Sequence, residues 1–149
     1  MKRRSLYIIC IVIASFTIIS CKDKAAEPEV SKATAEAALA EQTQNFTTYE
    51  EVFNEYSKLI KDLAPALVAE YEAQEKEMNG DMDKLAALCN EKVQLLSVIN
   101  NEGIENMAKI MQKNGDSYDV YEEWAGKLYD VYMDESSKIS NAYMKSFGL

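Results

Sequence analysis

The chain has 149 residues, with 25 acidic against 16 basic side chains, no histidine and a net charge of −9. The acid excess argues against nucleic acid or anionic lipid as partner surfaces, since both need cationic faces. The missing histidine removes the commonest general base and the commonest transition-metal ligand. No Gly-rich phosphate loop, serine elbow or Cys-x-x-Cys is present, so the expectation is a protein with no catalytic residues, no cofactor and no metal.

In chain order, Lys2, Arg3 and Arg4 precede an apolar run from Leu6 to Ile19 that ends in Ser20-Cys21. Cations, a short apolar core and a small residue are the parts of an export signal. The run falls short of the ~20 apolar residues a spanning helix requires. Ile18-Ile19-Ser20-Cys21 resembles the lipobox of bacterial lipoproteins. That resemblance implies a signal peptide over 1–20, cleavage before Cys21, and acylation of Cys21 on its sulfur and its new amino group. Several acyl chains anchor stably where one binds marginally, so attachment to the membrane is expected through lipid. The alternatives are an ordinary secretory signal and an uncleaved anchor. Lys22 stands where the enteric family carries an aspartate for inner-membrane retention, which implies an outer-membrane destination. Lys22-Asp23-Lys24 is similar to the surface signal of Bacteroidota lipoproteins, with one acid where that signal has at least two. The periplasmic face and the cell surface both stay open. Removing the signal's three cations from the net −9 leaves −12.

Residues 21–46 carry the lipidated cysteine and a stretch rich in Ala, Glu, Lys and Thr, with almost no large apolar side chain before Leu39. Such a segment cannot bury enough surface to offset its ordering entropy and reads as a flexible tether. Ser31 to Gln44 has high helix propensity but no wide apolar face.

The folded part is expected over 47–149, enough for one small core. Thr48 and Glu51 form a capping box, and Tyr49, Val52, Phe53, Tyr56, Leu59, Ile60, Leu63, Leu67 and Tyr71 step by threes and fours. The spacing predicts a helix over about 48–78, kinked at Pro65 and ended by Asn79-Gly80. Asp81 caps a second helix, about 82–113, with the stripe Leu85, Cys89, Leu96, Ile99, Gly103, Met107 and Ile110. Its phase holds through Asn100-Asn101-Glu102-Gly103, so the helix is continuous, and the glycine admits a close neighbour. Asn114-Gly115 closes it. A third helix, about 117–147, carries Tyr121, Trp124, Leu128, Val131, Tyr132, Ile139, Ala142 and Tyr143. The fold class is all-α, an up-down-up antiparallel three-helix bundle on the order of 45 Å long.

Three features are candidates for function. Tyr118-Asp119-Val120-Tyr121 recurs eleven residues on as Tyr129-Asp130-Val131-Tyr132, a displacement of three turns that returns each side chain to nearly the same face. This puts Tyr118 and Tyr129 on the edge of the core stripe beside an acidic ridge of Asp119, Glu123, Asp130 and Asp134. The face suits a sugar, a cationic peptide or a basic helix; the plainer interpretation is rim packing and a solvated acidic face. Acids at i and i+4 on one helix do not supply the converging oxygens calcium needs. Second, Lys92 and Glu135 interrupt core stripes. Counting from the turns brings Lys92 near Glu135 and Glu70, a pair that would satisfy a costly charge and fix register. Third, Phe53, Met107 and Trp124 fall in one layer, one turn from Gly103, as ordinary core filling. Cys89, the one cysteine outside the signal and lipobox, reads as a small buried hydrophobe, with an intermolecular disulfide as the alternative.

The function expected is a non-enzymatic cell-envelope lipoprotein, lipid-anchored at the outer membrane, whose acidic bundle acts as a protein-interaction or structural module. The alternative is a small-ligand or glycan-binding lipoprotein using Tyr118, Tyr129 and the acidic ridge.

Overall fold

The computed structural model describes residues 45–148. Cys21, the signal and nearly all of the expected tether lie outside the described residues. Three α-helices pack against one another in the order α1 (Tyr49–Gln74), α2 (Met82–Asn114) and α3 (Tyr118–Lys145), with a 3₁₀ turn at Glu75–Met78. The described residues contain no strand, so the protein is all-α, and no described helix is long and apolar enough to cross a membrane.

Local chemistry sets the helix ends. The Thr48 hydroxyl accepts from the Glu51 amide at 3.2 Å and the Glu51 carboxylate accepts from the Thr48 amide at 3.1 Å, closing the capping box. The last turn expected of the first helix is 3₁₀ rather than α. It ends at Asn79 and Gly80, whose φ of 51° and 76° lie in the left-handed region that such a stop requires. The Asp81 side chain caps α2 at the Lys84 amide. Gly115, at φ 72°, ends α2 with its amide on the Met111 carbonyl at 2.9 Å.

Pro65 lies inside α1, which is one helix. An internal proline costs about 3 kcal/mol through its lost hydrogen bond and ring clash. The buried Leu63, Ala64 and Leu67 around it offset that, since each fully buried aliphatic side chain contributes about 1.5–3 kcal/mol. Likewise α2 runs unbroken through Asn100 to Gly103, because Leu96, Ile99, Gly103 and Met107 are all buried on one side.

The core is shared by the three helices. Val52, Tyr56, Ile60, Leu67 and Tyr71 of α1, Leu96, Ile99 and Met107 of α2, and Leu128 and Ile139 of α3 are wholly buried. Tyr49 and Phe53 meet Trp124, with ring centroids 6.4 and 5.9 Å apart. Gly103 is the point of closest approach: a β-carbon there would stand 2.5 Å from Leu128 Cδ2 and 2.9 Å from Tyr56 Cγ. Two buried tyrosine hydroxyls find partners on other segments. Tyr56 accepts from Asn106 Nδ2 at 2.8 Å. Tyr71 pairs with Ser146 Oγ at 3.3 Å, and Ser146 also bonds Glu75. Phe46, at the end of the expected tether, is partly buried against the core, its ring 6.0 Å from that of Tyr56.

Candidate functional site

The eleven-residue repeat of α3 gives a repeated geometry. Tyr118 and Tyr121 have ring centroids 5.6 Å apart at 53°, and Tyr129 and Tyr132 stand 5.7 Å apart at 46°. Within each pair one ring is part-buried against the core, namely Tyr121 and Tyr132. The other is largely in solvent, with Tyr118 62 % and Tyr129 49 % exposed. The core-facing tyrosines are therefore shallower than a core stripe implies, and they serve as backing for the exposed rings.

The four acids of the neighbouring ridge are exposed but not equivalent. Glu123 holds Lys127 at 2.7 Å, and the same ammonium lies 4.2 Å from the centre of the Trp124 ring. Asp134 lies 3.8 Å from Lys138, which is held more closely by Glu135 at 2.7 Å. Asp119 and Asp130, each directly after an exposed tyrosine, form no ion pair among the described residues. The repeat thus sets out two tyrosine–aspartate units whose carboxylates remain available. Among the described residues no group of three or more His, Cys, Asp or Glu side chains could hold a metal ion.

Lys92 is fully buried. Its ammonium donates to Glu70 Oε2 at 3.1 Å and to Glu91 Oε1 at 3.3 Å. The Glu135 carboxylate accepts from Lys138 three residues along its own helix. That hydrogen bond is the main cause holding the Lys138 amine above its ordinary pKa, with the charges of Glu135 and Asp134 adding to it. The Lys92–Glu70 pair bridges α1 and α2.

Cys89 is a buried free thiol; burial raises its pKa, opposed by a hydrogen bond with Ser140. Such a thiol is a poor nucleophile. Phe53, Trp124 and Met107 pack as core, with Leu128 and Tyr56 filling the space over Gly103.

Asn100 and Ser57 were not legible as buried polar groups. Asn100 is 3 % and Ser57 5 % exposed, and among the described residues Asn100 Oδ1 and Ser57 Oγ have no hydrogen-bond partner. The signal for Asn100 is present in its phase, four residues after buried Leu96 and seven before buried Met107. The surface depressions are open: one is lined by Asn45, Phe46, Glu51 and Lys58, another by Glu75, Lys76, Gly80 and Ser146. Neither converges on the tyrosine–aspartate face. Among known proteins, no family model matches the chain, and neither the curated proteins nor the solved structures include one significantly similar to it.

Proposed function

We propose that the protein is a membrane-anchored, non-enzymatic lipoprotein of the cell envelope, held through acylated Cys21 at the outer membrane, whose acidic bundle binds another protein. The anchor is argued from Lys2-Arg3-Arg4, the apolar run and Ile18-Ile19-Ser20-Cys21. The observation that carries the binding role is the side of α3 where exposed Tyr118 and Tyr129 stand beside Asp119 and Asp130, which form no ion pair among the described residues. Tyrosine supplies contact area with little entropy to lose, and an exposed carboxylate beside it steers a cationic partner. An up-down-up path is part of this reading. It is supported by the pairing of early α1 with early α3 through Tyr49 and Trp124, and of early α2 with late α1 through Lys92 and Glu70.

Metabolic labelling with a fatty acid tests the anchor. Wild type carries the label and sediments with membranes, and Cys21→Ala does neither; an unlabelled, soluble wild type would refute it. Crosslinking on intact cells, followed by protease shaving, tests the binding role and separates the periplasmic face from the cell surface. A second reading, glycan binding, is favoured by the two exposed rings alone. Titration of glycans against tyrosine fluorescence tests it, and unchanged binding by Tyr118→Ala/Tyr129→Ala would remove it.

A further inference from the structure

Beyond the tyrosines, α3 exposes Met133 at 48 % and Met144 at 42 %. At 100° per residue these side chains fall about 60° and 80° round from Tyr118, with Tyr129 at about 20°. Leu128, Glu135 and Ile139, which α3 buries in the core, lie about a third of a turn away. The exposed apolar side chains therefore form a second seam, separate from the one the bundle uses.

The spacing along this seam is regular. Tyr118, Glu122 and Gly126 are followed by Tyr129, Met133 and Ser137 in steps of four, four and three, and Ser140 and Met144 begin a third unit. Each of these residues is exposed. Steps of four, four and three make an eleven-residue period of 3.67 residues per turn, the period that keeps one face of a helix in register with a nearly straight, slightly right-handed neighbour.

Gly126 supplies a second, independent observation. It sits in the interior of α3, where glycine weakens the helix, and a β-carbon there would meet nothing within 4 Å. No group among the described residues requires the absence of a side chain at 126, whereas a helix laid along the seam from outside does, because small residues let two helix backbones approach closely.

We infer that this seam is a docking surface for one helix of another protein, a helix apolar on one face and carrying lysine or arginine along the edge of that face. The inference rests on the interaction role proposed above and names its partner's chemistry. The seam from Tyr118 to Met144 is about 39 Å long at 1.5 Å per residue, which fits a helix and far exceeds a sugar ring. Charge selects the sign of the partner. Asp119 and Asp130 border the seam and Glu122 lies within it, none of them in an ion pair among the described residues. A second copy of the chain would set these acids against acids at a net charge of −9 per full-length copy, or −12 once the signal's three cations are removed, a juxtaposition that costs binding.

The test uses the full chain and two synthetic helical peptides with leucine at the four-four-three positions, one flanked by lysine and the other by glutamate. The lysine-flanked peptide binds and changes the tyrosine fluorescence; the glutamate-flanked peptide binds at least tenfold more weakly. Gly126→Leu weakens the lysine-flanked peptide at least tenfold with an undiminished thermal midpoint, since the new side chain points into open space. Equal binding of both peptides, or wild-type binding by Gly126→Leu, would overturn the inference. So would a dimer in sedimentation that Gly126→Leu dissociates. In the anchored protein, a photoreactive residue at Met133 crosslinks to a partner and one at the exposed Val98 of α2 does not. Crosslinks from Val98 alone would refute the seam and leave the interaction role standing, and crosslinks from neither position would refute both.

Discussion

Gly103 and Gly126 sit in the middle of neighbouring helices, and in each place glycine costs about 1 kcal/mol relative to alanine. At Gly103 the missing side chain is filled by Leu128 and Tyr56, which could not approach if a β-carbon stood there. At Gly126 nothing stands within 4 Å. The same residue type therefore has an internal reason in α2 and none in α3. A helical glycine is informative about function only after its surroundings are known, because packing explains the first and leaves the second unexplained by the monomer.

The sharpest way to break this contrast is at the contact that explains Gly103. Leu128→Ala should destabilise the bundle by about 3 kcal/mol, the usual range for a fully buried leucine, measured by denaturant unfolding. Gly103→Ala should cost about 1–3 kcal/mol through overpacking against Leu128 and Tyr56. The double variant should lose less than the two single losses together, because shortening Leu128 makes the room that the alanine needs. Full additivity would show that Gly103 is not held by that contact. Next in size, Glu70→Gln should cost about 2 kcal/mol by weakening the charged hydrogen bond to buried Lys92, while Lys92→Met should be near neutral. Smallest and opposite in sign, Gly126→Ala should stabilise by about 0.5–1 kcal/mol; a loss of stability there would give Gly126 an internal role.

Tyr56, which closes over Gly103 from α1, adds a pH dependence. Burial is the main cause raising its pKa from 10.0 to about 12, with the charge of Glu102 next. Because the folded value lies above the unfolded one, its contribution is fully present below pH 10 and is lost as pH rises through about 12. Tyr56→Phe should shallow the alkaline limb of the stability profile. An unchanged limb would assign the alkaline loss to other groups.

What could be read from the sequence was largely local. Thr48 with Glu51, Asp81, and the left-handed stops at Asn79-Gly80 and Gly115 act within four residues of themselves, so their patterns carry their own meaning. The stripes of α1 and α2 were equally readable because buried side chains repeat every three or four positions. Which acid would hold Lys92 was not, since Glu70 and Glu135 lie within a turn of its level, and Lys138 competes for Glu135 from three residues away. The exposure of Tyr118 against the partial burial of Tyr121 depends on where α1 and α2 run out of width. The unpaired state of Asp130 depends on Lys127, three residues before it, choosing Glu123 instead, and no lysine lies within a turn of Asp119 along its helix. Those are questions of competition in three dimensions, which periodicity does not encode.

The fold-back of Phe46 onto Tyr56 has a mechanical consequence. A pull on the chain from its N-terminal side reaches the bundle through Thr47, whose amide and hydroxyl both donate to the Glu51 carboxylate at 2.8 and 3.0 Å. Load is therefore taken first by a ring contact and a clasp at the tip of α1, and only afterwards by the buried layers. Those same donors hold the Glu51 carboxyl below its ordinary pKa, so the clasp keeps its grip above the ordinary carboxylate range and yields as the medium acidifies through the lowered folded value. Under load the joint should act as a sacrificial coupling, giving way before the bundle does.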